Sequence, residues 1–284
     1  MSYVNMRDML LKAQAGSYAV GAFNIVDYIT ASAVIKAARN KRSPVIIQTS
    51  TKTVVLYGYK PIVNWVKTLA DDTDIPVALH LDHCKDLDMI KKCIDAGWSS
   101  VMIDASSMPL EDNIEMTKKV VAMAKSKGVT VEGELGSIVG VEDDIFVNEQ
   151  ASHLADPEAC VKFVELTGVD VLAPAIGTAH GIYHKEPNVN FDLLREIADK
   201  VSVPLAIHGG TGLSEEVFKK CIACGGSKIN VSTEIKHMFR DSFEKYFKDN
   251  PTDYEPVKAI GYVEEQTMRR VESFMEIFGS INRI

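Results

Sequence analysis

No stretch of this 284-residue sequence approaches the ~20 consecutive apolar residues of a membrane span. The opening MSYVNMRDML also lacks the apolar core of a secretion signal. Basic runs are missing too: 31 Lys and Arg stand against 39 Asp and Glu, a formal net charge of −8. Such a chain is poorly matched to a phosphate backbone or an anionic membrane surface, so neither nucleic acid nor membrane is expected as a partner. Cysteine is scarce. Its five residues (Cys84, Cys93, Cys160, Cys221, Cys224) form an odd, scattered set that fits a reducing compartment, and the expected location is the cytoplasm. Cys221 and Cys224 make a CxxC with no second pair nearby; within EEVFKKCIACG it reads as packing on one helix face.

What is present is globular: 46% hydrophobic and 25% charged residues, enough for a sizeable core and too apolar for disorder. Eight short β-rich runs recur, YAVGAFN (18–24), PVIIQ (44–48), PVALHLD (76–82), SSVMID (99–104), VTVEGEL (129–135), VDVLAPAI (169–176), VPLAIHG (203–209) and SKINVS (227–232). They are continuous rather than alternating, as parallel strands covered on both faces should be. Amphipathic helical patterns lie between them. Asp156-Pro157 reads as an N-cap followed by Pro at the first helical position, and Gly97, Gly128 and Gly168 read as C-caps. Alternation without a break in composition predicts a single (β/α)8 TIM barrel over 1–284. An extra helix is expected at 5–14 and a long C-terminal helical tail at 253–278. Residues 136–155 and 177–190 are too long for simple strand-to-helix turns, and 136–155 is expected to be a mobile active-site loop.

Polar residues that interrupt the apolar runs gather at the strand C-termini: Asn24, Ser50, Asp82, His83, Asp104, Glu134, His180, His208, Asn230 and Ser232. That rim is where barrel active sites are built. Each histidine alone could be a hydrogen-bonded rim residue. Three from separate strands (His83, His180, His208), interleaved with Asp82, Asp104 and Glu134, read as a catalytic metal site with an open position. His80 alternates with Asp82 and is expected to wall the barrel or orient that carboxylate. HGGTG (208–212) and NVSTE (230–234) form a second constellation. Gly209 and Gly210 allow backbone N–H groups close to an anion, and Thr211, Ser232 and Thr233 offer hydroxyls near a helix start, a phosphate clamp.

HLDH (80–83), SVMIDAS (100–106), VEGELG (131–136), GVEDD (140–144), AIGTAHGIY (175–183), HGGTG and KINVSTE (228–234) resemble the class II, zinc-dependent ketose-bisphosphate aldolases, from residue 3 to 280. The resemblance implies aldol cleavage to dihydroxyacetone phosphate and an aldehyde, with a phosphorylated sugar of the fructose- or tagatose-bisphosphate kind as substrate. It implies Zn2+ on His83, His180 and His208, with a second divalent or a monovalent cation at Asp104 and Glu134. Asp82 matches the acid/base that exchanges a proton with the aldehyde-derived oxygen, and Glu142 the carboxylate that removes the C3 proton. Gly181, Gly209, Gly210, Thr211, Asn230, Val231, Ser232 and Thr233 match contacts to dihydroxyacetone phosphate, and the rim residues Asn24 and Ser50 join them. A homodimer or homotetramer is implied.

The chain departs from this pattern where the aldehyde half is read. Relatives carry Asp-Pro-Arg before the C-terminal helix, the arginine taking the far phosphate; here the segment is YEPVKAIG and Val257 holds that place. Ser106-Ser107-Met108-Pro109-Leu110 replaces SHHPF or SHFPF, and Val139-Gly140-Val141 replaces the glycine pair before Glu142. A sulfonated or unphosphorylated aldehyde half is therefore an alternative. A metal-dependent hydrolase is the alternative from another class, although it gives no reason for the phosphate clamp.

Overall fold

Inward-facing residues of the strands change character along the barrel axis, and that gradient places the site. The computed structural model describes residues 2–142, 145–147, 153–181 and 188–284, with backbone alone over 139–142 and 145–147. In chain order the strands are β1 (Val20–Asn24), β2 (Val45–Thr49), β3 (Val77–Cys84), β4 (Ser100–Ile103), β5 (Thr130–Leu135), β6 (Val139–Glu142), β7 (Ile145–Val147), β8 (Val171–Pro174), β9 (Ala179–His180), β10 (Leu205–Ile207) and β11 (Gly226–Val231). Eight of them close a parallel barrel in the order β1-β11-β10-β8-β5-β4-β3-β2. The α/β barrel expected from the eight apolar runs is the observed fold.

Side chains alternate in a strand, so every second residue of these segments points inward. At the N-terminal end the interior holds Val20, Ala22, Ile46, Ala78, Val171, Ala173 and Ala206. Helix α1 (Arg7–Gly16) plugs that end with Met9, Leu10 and Ala13, joined by Met6. Two residues further along each strand the interior turns polar: Gln48, His80, Ser100, Glu132 and Lys228, then Asn24, Asp82, Glu134, His208 and Asn230, all buried. Contacts between Lys228 and Glu132, on strands separated by two others, show that these side chains meet across the interior.

The helices follow the sequence signals. Asp156 caps α7 (Pro157–Thr167) through the Ala159 N–H at 2.8 Å, and Gly97 and Gly168 end their helices in the left-handed region. Gly128 differs from expectation: α6 (Leu110–Lys125) is capped at Ser126, and Gly128 turns the chain two residues later with φ +66°. The extra N-terminal helix starts two residues later than expected, and the C-terminal helix α11 runs Pro256–Ile277. That tail packs on α2 (Tyr28–Lys41) through Lys36–Glu264 and Lys41–Glu276 ion pairs, with Phe274 against Phe23. Before it in the chain comes α10 (Thr233–Asp249). All five cysteines are free and buried; burial pushes the Cys221 thiol up to about 12, as suits a packing group. Among the described residues no helix is long and apolar enough to cross a membrane.

The excursion after β5, expected as an active-site loop, carries two short strands among its described residues. Strand β6 pairs antiparallel with β7 and parallel with β9, Gly140 opposite His180. The Ser137 N–H donates to His153 O at 2.9 Å, and the Ala155 N–H to Ala175 O at 2.8 Å, so the base of the excursion is tied to the barrel. Residues 143–144, 148–152 and 182–187, His184 included, lie outside the described residues.

Candidate active site

Adjacent residues of a strand normally face opposite ways, yet Asp82 and His83 both serve one cavity. The register of β3 against β4 shifts between Leu81 and Cys84, and His83 takes φ +45°. A non-glycine residue held left-handed is strained, and a bulge re-aims the side chain after it. The bulge brings His83 toward His180 and His208, with ring centroids at 4.8 and 4.6 Å, while Asp82 stays inside the barrel.

The Asp82 carboxylate accepts from three amides: Asn24 Nδ2 at 3.0 Å and Gln48 Nε2 at 3.2 Å on Oδ2, and Asn230 Nδ2 at 3.3 Å on Oδ1. Gln48 also donates to Asn24 Oδ1 at 2.6 Å. Asn24 and Asn230, expected as substrate contacts, both also support Asp82. Gln48 went unread in the sequence, although its place two residues after Ile46 on an inward-facing series marks it.

Ligand atoms of His83, His180 and His208 lie within 4.8 Å of one another, and those of His83, Asp104 and Glu134 do likewise. Hydrogen bonds on the far side of two rings decide what the near nitrogens offer. His83 Nδ1 lies 3.2 Å from Asp104 Oδ2 and 3.7 Å from Glu134 Oε2. His208 Nε2 lies 2.7 Å from Glu132 Oε1. With protons committed to those carboxylates, His83 Nε2 and His208 Nδ1 face each other at 2.8 Å as lone pairs, a gap only a proton or a cation can bridge. Imidazoles with a carboxylate on the far nitrogen are the usual donor set for zinc, so these residues fit such an ion.

The surrounding charges are unequal. Burial and the neighbouring Asp104 charge push the Glu134 carboxyl well above the usual range. Burial opposes ionisation of Asp104 as well, but the hydrogen bonds from His83 and Ser106 hold it below the usual range. Glu132 is also held low against the cost of burial, chiefly by the Lys228 ammonium 3.0 Å away. Neither Glu132 nor Lys228 was read from the sequence, though each stands two residues before an inward-facing rim residue, Glu134 and Asn230. His80 walls the barrel: its Nδ1 meets Ser100 Oγ at 2.7 Å, and among its described contacts none reaches Asp82.

The clamp segments sit beside this cluster. Gly209 has φ +70°, and a Cβ there would stand 2.4 Å from Ala179 O; at Gly210 it would stand 2.4 Å from Asn230 O. Only glycine lets the chain pass so close. Gly181 follows β9 with φ +89°, Val231 ends β11 and offers backbone alone, and Thr233 opens α10. Thr211 Oγ1 accepts from the Glu234 N–H at 3.3 Å. The buried hydroxyls of Ser232 and Thr178 have no hydrogen-bond partner among the described residues, which suits an anion beside them. Ser50 caps the short helix α3 (Thr51–Tyr57), its Oγ accepting from the Thr53 N–H. Glu142 closes β6, and its side chain lies outside the described residues.

A closed parallel barrel whose strand C-termini carry clustered imidazoles, carboxylates and a glycine-hydroxyl rim is a barrel enzyme. The chain belongs to the class-II fructose-bisphosphate aldolase family, whose profile matches residues 4–283. It is 43% identical to the fructose-bisphosphate aldolase of Geobacillus stearothermophilus over 99% of this chain and 98% of that one. It is also 38% identical to the sulfofructosephosphate aldolase of Alkalicoccus urumqiensis, over 100% and 99%. The crystal structure of the YdjI aldolase from Escherichia coli K12 superposes with a TM-score of 0.87 at 32% identity, covering 99% of both chains. The protein is a class II aldolase, a lyase, and the hydrolase alternative falls away.

Proposed function

We propose that this aldolase is zinc-dependent and cleaves a ketose 1-phosphate to dihydroxyacetone phosphate and an aldehyde. The observation that carries this reading is the facing of His83 Nε2 and His208 Nδ1 at 2.8 Å beside the amide-held Asp82. Zinc bound by His83, His180 and His208 would polarise the ketone and stabilise the negative charge that develops, so no Schiff-base lysine is required. Asp82, fixed by Asn24, Gln48 and Asn230, exchanges a proton with the aldehyde-derived oxygen. The Gly209–Gly210 backbone and the Ser232 hydroxyl hold the phosphate at the start of α10. Asp104 and Glu134 beside His83 form a second cation position. We assign removal of the C3 proton to Glu142. Glu142→Gln should lower C3 proton exchange by about 10²–10⁴ while barely changing affinity for dihydroxyacetone phosphate, whose contacts lie elsewhere. Equal losses in both would make the residue structural.

The aldehyde half is not read as a phosphate by a bidentate cation at residue 257. Val257 is 71% exposed at the start of α11, and its neighbour Lys258 is engaged by Asp253 at 3.1 Å. An apolar side chain cannot replace a guanidinium fork. The sulfofructosephosphate aldolase among the relatives supports a sulfonated aldehyde half. Condensing dihydroxyacetone phosphate with matched phosphorylated, sulfonated and neutral aldehydes tests this, and the phosphorylated aldehyde should be the poorer anionic substrate. Val257→Arg should then raise kcat/KM on fructose or tagatose bisphosphate by about one to two decades. Charge-assisted hydrogen bonds contribute ~1.5–3 kcal/mol and each decade is worth ~1.4 kcal/mol. Unmodified protein that already cleaves either bisphosphate near ~10⁵ M⁻¹s⁻¹ would return the substrate to a plain bisphosphate.

A further inference from the structure

Lys228 is fully buried in the barrel, one layer below the rim. Its ammonium lies 3.0 Å from Glu132 Oε2, 3.3 Å from Glu132 Oε1 and 2.7 Å from Asn230 Oδ1. Burying a lysine and a glutamate in a barrel is weakly stabilising at best, since a well-packed apolar pair of the same volume serves stability equally well. What the pair supplies is direction. An ammonium donates only, so it draws the Asn230 oxygen toward itself and turns the amide N–H toward Asp82. It also keeps Glu132 a charged acceptor, hydrogen-bonding Oε1 and pairing with Oε2 at 3.0 Å, so the proton between Glu132 and His208 sits on His208 Nε2. Asn230 Nδ2 lies 3.2 Å from that same nitrogen, but the 2.7 Å contact with an acceptor-only carboxylate fixes the tautomer.

We propose that Lys228 is a positioning residue that sets hydrogen-bond polarity on both sides of the site, turning His208 Nδ1 toward the zinc position through Glu132 and the Asn230 amide toward Asp82. This rests on the zinc reading above. It has a consequence that packing alone lacks. In Glu132→Gln the ammonium attracts the new amide oxygen to the Oε2 position and leaves the NH2 group facing His208 Nε2. That nitrogen must then accept, its proton moves to Nδ1, and the lone pair offered to zinc is lost. Removing the ammonium as well frees the introduced amide to rotate its oxygen back.

The test is Zn2+ affinity measured by chelator competition. Glu132→Gln should bind Zn2+ about ten- to a hundredfold more weakly than the unaltered protein, as loss of a metal ligand's carboxylate support does. Glu132→Gln combined with Lys228→Met should recover part of that loss. Full affinity in Glu132→Gln, or a double variant weaker than the single, overturns the proposal. A second measurement stands whether or not the variants fold. In zinc-loaded, nitrogen-15-labelled protein, long-range proton–nitrogen spectra should place the His208 proton on Nε2, and a proton on Nδ1 overturns the proposal. His208→Ala separates the two readings: if it keeps full Zn2+ affinity, the zinc reading fails. If it loses zinc while Glu132→Gln does not, only the role of Lys228 fails.

Discussion

His208→Ala should release zinc and take about three decades or more from kcat/KM, because Lewis-acid stabilisation contributes several kcal/mol at ~1.4 kcal/mol per decade. His208 supplies one of three converging imidazoles, and two make a poor site. The barrel should survive. Glu132 keeps Lys228 at 3.0 Å, so no buried charge is left without its counterion, and the apolar layers beneath are untouched. Metal content by elemental analysis, turnover and thermal unfolding should be read on the same sample. Zinc retained with turnover preserved would remove His208 from the site.

Asp82→Asn should lower kcat by about 10²–10⁴, the usual worth of a positioned acid/base, while zinc content stays unchanged. The substitution is nearly isosteric, but three amide donors point at this carboxylate. An NH2 group at residue 82 opposes at least one of them. Turning Asn24 breaks its 2.6 Å bond from Gln48, and turning Asn230 breaks its 2.7 Å bond from Lys228. Each escape breaks another bond, so the melting temperature should also fall, by the equivalent of ~1–3 kcal/mol for one buried group left unsatisfied. Steady-state kinetics and a thermal melt check both halves. A kcat within about tenfold of the unaltered protein would make Asp82 structural.

The barrel was legible because its strands are short, continuous apolar runs separated by helices, a pattern few other folds produce. The three histidines and Asp82 were legible because they interrupt those runs at one end. The pairing of β6 with β7 and β9 was not. Strand β6 finds its parallel partner in a two-residue strand 40 positions along, Val139 opposite Ala179, and local propensity carries no trace of such a pairing. The left-handed turn at His83 was invisible for a similar reason: histidine does not announce positive φ as glycine does. Lys228 and Glu132 were missed although parity alone places them inward. Their pairing crosses the barrel between strands that are not neighbours, and only closure brings them together. Ser50 carries a second role that its rim position does not reveal, its hydroxyl capping a helix.

The central claim is that a zinc ion held by His83, His180 and His208 makes the C3 proton of dihydroxyacetone phosphate removable. Its most direct test is solvent-deuterium exchange at C3, followed by proton NMR with dihydroxyacetone phosphate and no aldehyde. Zinc-loaded protein should exchange the C3 proton, chelator-stripped protein should not, and added Zn2+ should restore the rate. Exchange at the full rate in metal-free protein would contradict the account.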